Sequence, residues 1–411
     1  MREVLQFPLL RRLWYAQIIS VFGDFLALYA VIGVLTFRLH ATAQQVTGVQ
    51  IAYMLPIAVL GILAGVFVDR WPLKPTMVSS DSFRAALVLL LIFATQPWHF
   101  YAILAAISVV SSFFGPAQGV AIRSAVPLHG LRSANALMQQ VMFGMRIIGP
   151  AIASFMVASF GPTSCYVLDC VSFIGSALLI ASVAFLKKDP AAASKVQMPE
   201  SQSALGKIWL DMKQGISFIV HHAALLFVIL AMAAGMFVLG CFGPLIAVYV
   251  RDSLHASTRA FGIVAAMIGL GMLIGINGLN TLGKKLSNTL LVYSGLCGIA
   301  LGLVILTLLP HIWSTIVGNL IIGFSVAGII VPSQTLFQQA TPPELMGRVG
   351  STFMSIIFAA QIAGLTLSGI LTQHTGVRQV FALCAVMLVV LIAVGKLWME
   401  PKPEKATAAT N

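Results

Sequence analysis

Twelve long apolar runs, divided by short polar breaks, dictate where this chain can fold. They lie near 13–37, 46–68, 77–95, 98–122, 136–160, 163–186, 223–249, 260–282, 288–308, 311–333, 351–373 and 378–398. A helix rises about 1.5 Å per residue, so roughly 20 apolar residues cross the hydrocarbon of a bilayer. Of the 411 residues 59% are apolar and 9% charged, with a mean hydropathy of +0.97. An ordinary soluble domain is about 25% charged, so a soluble enzyme or a disordered chain is excluded. The expected fold is an all-α polytopic membrane protein, with twelve transmembrane helices in two six-helix pseudo-symmetric bundles.

The charges fit that setting. Lys and Arg number 24 against 12 acids, a net of +12. The bases are scattered singly between apolar runs, which points to positive-inside anchoring and away from nucleic acid. With the N-terminus in the cytoplasm, 19 bases fall inside, Arg84 among them. Arg38, Arg251, Arg259 and Arg378 fall outside, and Arg146 lies within a span. The split predicts both termini in the cytoplasm. Arg2, Arg11 and Arg12 resemble the start of a signal peptide, but the apolar run behind them continues to Phe37 without a cleavage site, so it reads as a retained helix. Five cysteines without a C-x-x-C and eight histidines without an H-x-x-x-H predict no metal, disulfide framework or cofactor.

Residues 187–222 form the longest polar stretch and divide the chain into an N-terminal bundle at 1–186 and a C-terminal bundle at 223–398, with a cytoplasmic tail at 399–411. Within that linker, Ile208, Trp209, Met212, Ile216 and Ile219 are spaced for an interfacial amphipathic helix over 205–220, and a plain linker is the equal alternative. A repeat shows at an offset of about 215 residues. Val126-Pro127 recurs as Thr341-Pro342, Phe160-Gly161 as Thr375-Gly376, and Gly149 maps onto Gly364. Inner loops in register imply parallel repeats about an axis normal to the membrane.

After span two, Gly65-Val-Phe-Val-Asp69-Arg70-Trp-Pro-Leu-Lys74 resembles the G-x-x-x-D-R-x-x-x-[RK] signature of the major facilitator superfamily. Ile19-Ser-Val-Phe-Gly-Asp24, Arg146-Ile-Ile-Gly149-Pro150 and Asp169-Cys-Val-Ser-Phe173 resemble the branch of macrolide and enterobactin exporters. The resemblance implies the major facilitator fold and efflux of a bulky, partly apolar compound against proton entry. There are departures: Pro72 and Leu73 stand where the signature usually has a glycine and a base, residues 278–285 lack its acid, and span four lacks a mid-membrane arginine common in proton-coupled drug exporters.

Three ionisable residues read as intramembrane: Asp24, Arg146 and Asp169. A charge at the bilayer centre costs about 2.5–3.5 kcal/mol on insertion scales and so marks a partner or a wet cavity. Asp24 and Arg146 both enter from the inner side to a depth of roughly 15–17 Å, whereas Asp169 is roughly 9 Å from the outer side. Asp24 is the expected protonation site with Arg146 tuning it; a permanent ion pair between spans one and five is the alternative. Asp169 joins the set as a coupling candidate, though its peripheral span also suits a structural partner. The repeat places Leu239, Gln361 and Cys384 opposite Asp24, Arg146 and Asp169, so coupling is expected in the first half, while the second shapes the substrate surface.

Gly65, Asp69, Arg70 and Lys74 form the expected gating loop. A carboxylate such as Asp69 can cap the positive N-terminal end of a neighbouring helix. The resemblance implies that this helix is span eleven, whose N-terminal end lies near Gly350-Ser351. Gly149-Pro150 is the expected hinge, and Gln17, Gln139 and Gln361 are cavity candidates, with Phe113, Phe114, Phe242 and Phe337 as apolar lining. Gly61-x-x-x-Gly65 and Gly271-x-x-x-Gly275 permit close helix packing.

The resulting expectation is a monomeric, proton-coupled secondary transporter of a small molecule, embedded in lipid and neither an enzyme nor a nucleic-acid binder. An exporter or flippase of a siderophore or lysolipid without proton coupling is the alternative, and a non-transporting sensor a more distant one.

Overall fold

The computed structural model describes residues 3–68, 71–127, 130–183, 216–281, 286–341 and 346–396. In lipid a backbone N–H or C=O finds no partner but another backbone group, so each apolar run closes into a helix. The first six are α1 (Pro8–Gly33, continued by a π-helical turn Val34–Arg38), α2 (Ala43–Val68), α3 (Leu73–Leu89, with a 3-10 turn Leu90–Phe93), α4 (Pro97–Ala125), α5 (Leu131–Phe160) and α6 (Pro162–Ala181). The second six are α7 (Ala223–Asp252), α8 (Thr258–Thr281), α9 (Asn288–Leu308), α10 (Ile312–Ala340), α11 (Met346–Thr375) and α12 (Val377–Val394). All twelve contain a stretch apolar and long enough to cross a membrane. Proline opens α1, α4 and α6, where its missing N–H has no helical partner to lose.

The repeat is far more regular in the backbone than in the side chains. Every helix of the second half begins 215 residues after its counterpart in the first, from Pro8 and Ala223 to Pro162 and Val377. The positive-φ residues obey the same offset: His40 (φ 47°) pairs with His255 (φ 49°), and Gly161 (φ 82°) with Gly376 (φ 87°). The two glycines make the abrupt reversals between α5 and α6 and between α11 and α12, in a conformation that costs glycine little.

An even number of crossings puts Glu3 and Lys396 at one face, called here the terminal face. Within the first half α1 packs on α5 and α6, α3 on α4 and α6, and α2 on α4. The halves join along α5 against α8 and α2 against α11. The first of these seams runs backbone to backbone. A Cβ added to Gly262 would stand 2.9 Å from the Pro150 carbonyl oxygen, and one on Gly269 3.0 Å from that of Arg146.

The halves are also tied at the face opposite the termini. Arg251 Nη1 at the end of α7 donates to the carbonyls of Thr36 (2.9 Å) and Ala41 (2.8 Å) in the α1–α2 connection. Gln373 Nε2 on α11 donates to Gln44 Oε1 on α2. Phe261 of α8 is buried beside Tyr29 and Phe37, with ring centroids 6.0 and 6.1 Å away.

Several expectations need correction. Arg84, counted among the inner surface bases, lies in the middle of α3 and is 4% exposed, and Asp81 one turn earlier is 0% exposed. Among the described residues, Asp81 and Arg84 therefore join Asp24, Arg146 and Asp169 as ionisable groups within the spans. An acid and a base at i and i+3 on one helix neutralise one another, which lets both be buried where either alone would be costly. The N-terminus of α11 is at Met346, ahead of Gly350-Ser351, and α10 extends to Ala340. Hydropathy stops where lipid stops, whereas helical hydrogen bonding continues beyond it. The greater part of the proposed amphipathic stretch, residues 205–215, and the tail from 397 onward lie outside the described residues, as do Asp69 and Arg70.

Candidate functional site

Between the halves lies a cavity of about 390 Å³, walled by α1, α2, α5, α7, α8 and α11. Its lining follows the repeat. Asp24 and Leu239 occupy equivalent positions on α1 and α7, Arg146 and Gln361 on α5 and α11, Gln50 and Ala265 on α2 and α8, and Tyr53 and Ile268 on the same two helices. All eight face the cavity. The fold therefore presents the same positions twice, and the sequence makes the first set polar and the second nearly apolar.

Asp24 is half-buried and Arg146 exposed, both on the cavity wall. Among the described residues no ion pair joins them; the pairs present are Arg84–Asp81 and Arg251–Asp252. Arg84 is paired instead with Asp81 on α3, inside the first bundle. Tyr29 lines the same cavity as Arg146. Gln361 lines the wall as expected, whereas Gln17 is absent from it: its Oε1 accepts from Gln118 Nε2 at 2.7 Å, bridging α1 and α4. The side chain of Gln139 is outside the described set.

Asp169 is 2% exposed and faces α1. Its carboxylate lies against Gly23, the residue before Asp24, where the missing side chain leaves it room. Ser172 Oγ donates to Asp169 Oδ1 at 3.2 Å and to its carbonyl at 2.7 Å. Gly149 packs equally tightly on α1, since a Cβ there would meet the Phe25 Cβ at 2.8 Å; Pro150 follows within the same continuous helix. Lys74 is in the first turn of α3 and Gly65 in the last turn of α2.

The apolar lining differs from expectation. Phe114 lies on Arg84, Phe113 on Trp71, Phe242 on Phe381 and Phe337 on Phe353, and none borders the cavity. Phe25, Tyr29, Tyr53 and Phe358 supply the rings instead. On α2, α5, α7 and α8 the lining residue nearest the terminal face is in each case a methionine: Met54, Met142, Met236 and Met272. Methionine is unbranched and polarisable, so such a collar adapts to irregular apolar shapes. Sequence reading missed it because a methionine within an apolar run carries no mark of the direction it faces.

Known proteins give the same picture. The chain is 27% identical over 388 residues to the MFS-type transporter YfiS of Bacillus subtilis, covering 92% of this chain and 89% of that one. It is 24% identical over 389 residues to Macrolide efflux protein A of Streptococcus pyogenes, covering 93% and 94%. To the Multidrug efflux pump Tap of Mycolicibacterium fortuitum it is 24% identical over 371 residues, covering 87% and 88%. In fold it is similar to the nucleoside transporter NupG (TM-score 0.71, 12% identity, 96% of this chain and 100% of that one). It is similar too to a bacterial homologue of the lysosomal transporter Spinster in an inward-facing, unoccupied conformation (TM-score 0.69, 11% identity, 96% of each). Residues 13–365 and 236–411 match the Major Facilitator Superfamily in two overlapping segments. With a twelve-helix repeat and a cavity between its halves, the chain belongs to that superfamily of membrane transporters and is not an enzyme.

Proposed function

We propose that the protein exports bulky, partly apolar small molecules from a bacterial cytoplasm in exchange for protons. The observation that carries this reading is the cavity: one acid and one base on a wall otherwise made of methionines, aliphatic side chains, aromatic rings, glycines and two amides. Asp24 is the proton carrier. A carboxyl in a space wetted alternately from either side exchanges its proton with that side, and its charge then changes its affinity for the compound beside it. Arg146, Gln50 and Gln361 offer donors to polar groups of the cargo, and the methionine collar covers its apolar body. The relatives named for macrolide and multidrug efflux support the direction and the class of cargo.

Orientation follows from the bases. With Arg84 moved into the membrane, the loops on the terminal face still hold the excess of Lys and Arg, which assigns that face to the cytoplasm. The ties at Arg251, Gln373 and Phe261 then close the outer side, and the cavity faces inward. Asp69 and Lys74 would act on the inner closure, and Gly149-Pro150 on the bending of α5.

The test is accumulation of fluorescent dyes and macrolides in everted vesicles, with and without a proton gradient. Gradient-dependent uptake that Asp24→Asn abolishes, in a protein that still folds, is the expected result. Uptake by that variant with an unchanged response to the gradient would overturn the reading.

A further inference from the structure

Behind the cavity wall, α1, α3 and α6 enclose more acids than bases. Asp81 Oδ1 is ion-paired with Arg84, and Ser176 Oγ on α6 donates to Asp81 Oδ2 at 2.6 Å. The Arg84 guanidinium is held between the rings of Phe114 and Phe173, 4.5 and 4.4 Å from their centroids, and its buried Nε has no partner. Asp169 lies against Gly23 and receives the Ser172 hydroxyl, and Asp24 follows Gly23 on the cavity side. The other titratable groups on these and the adjoining elements are Tyr53 on α2, which faces the cavity with Tyr29 and Arg146, and Cys165 and Cys170 on α6; α4 contributes the Phe114 ring.

The second half supplies an internal control. The positions equivalent to Asp81, Arg84 and Asp169 are Leu296, Ile299 and Cys384, all buried. The fold is thus content with an uncharged core at this place. Buried ion pairs are often no more stabilising than well-packed apolar residues, so structural need does not account for the charges in the first half.

We propose that Asp24, Asp169 and Asp81 form one proton-binding unit anchored by Arg84, which holds two exchangeable protons where the cavity alone shows one carboxyl. This rests on the proton-coupled reading above and deepens it. In the core, Asp81 and Asp169 against the Arg84 guanidinium would leave one uncompensated charge, which one proton removes; Asp24 on the cavity wall holds the second. A proton released by one carboxyl is taken up by another as carboxylate, so exchange needs no co-reactant. Asp24 is the member open to the cavity, and Arg84 fixes Asp81 as the inner end.

The experiment is a pH titration of the infrared C=O stretch of protonated carboxyls in purified protein in lipid nanodiscs, with protons as the only probe. Two titrating components are expected in the native protein, and one fewer in each of Asp24→Asn, Asp169→Asn and Asp81→Asn. Ser176→Ala keeps every charge and removes only the hydrogen bond to Asp81; it is expected to move the midpoint of one component, which keeps the test decisive where Asp81→Asn does not fold. A single component that vanishes in Asp24→Asn and ignores Asp169→Asn and Ser176→Ala would overturn the unit. The two readings fail separately. Two components without gradient-driven efflux would sink the transport reading alone, and gradient-driven efflux with one component would sink the unit alone.

Discussion

The two bundles share one backbone plan and differ in what fills it. Asp81 and Arg84 on α3 correspond to Leu296 and Ile299 on α9, and all four are buried. On the cavity wall Asp24 and Arg146 correspond to Leu239 and Gln361. One bundle therefore carries ionisable groups from the cavity into its core, while the other meets the same cavity with apolar and amide surface. The difference teaches that the fold asks only for helices that pack, and that the charges are an addition made to one half for another purpose.

The sharpest way to break this comparison is to make the first half resemble the second. Arg84→Ile alone strands the Asp81 carboxylate and should cost about 3–5 kcal/mol of stability, read as a loss of thermal midpoint in detergent. The double variant Asp81→Leu/Arg84→Ile copies Leu296 and Ile299. It should recover that stability or exceed it, while gradient-driven efflux stays impaired. If the double variant is as unstable as the single, the cluster is structural and the comparison loses its meaning.

Next in size is the seam between the halves. Gly262→Val forces a side chain against the Pro150 carbonyl and should cost about 1–3 kcal/mol, or drive α5 and α8 apart. Chemical crosslinking of paired cysteines across α5 and α8 measures which occurs. Arg251→Ala removes two charge-assisted hydrogen bonds on the face opposite the termini. At about 1.4 kcal/mol for each factor of ten, its loss should raise labelling of cysteines on that face on the order of ten-fold. A smaller effect is expected at the collar. Met272→Ala should weaken binding of the largest cargo by a few-fold and spare smaller compounds, measured by competition in vesicles.

Much of this architecture was legible in the sequence. The helices followed from run lengths, and the offset seen in Gly161 and Gly376 became a backbone repeat. Asp24, Arg146 and Gln361 were visible because a polar residue in an apolar run stands out. Asp81 and Arg84 did not, since α3 follows the basic loop, and Arg84 reads as one more surface base and Asp81 as its solvated neighbour. Comparing each position with its counterpart 215 residues later would have found them, as charges opposite Leu296 and Ile299. The phenylalanine lining was misplaced for a different reason: a ring is equally at home against lipid, a neighbouring helix or a cavity, and composition does not say which. The directions of Met54, Met142, Met236 and Met272 emerged only once the helices were packed.

The most direct measurement of the claim that coupling resides in the first half is proton movement across reconstituted proteoliposomes, followed by an internal pH dye on addition of a compound found in the vesicle screen. The account predicts cargo-induced proton movement that Asp24→Asn eliminates, and that Gln361→Ala retains with an altered range of compounds. Proton movement that survives in Asp24→Asn and disappears in Gln361→Ala would contradict it.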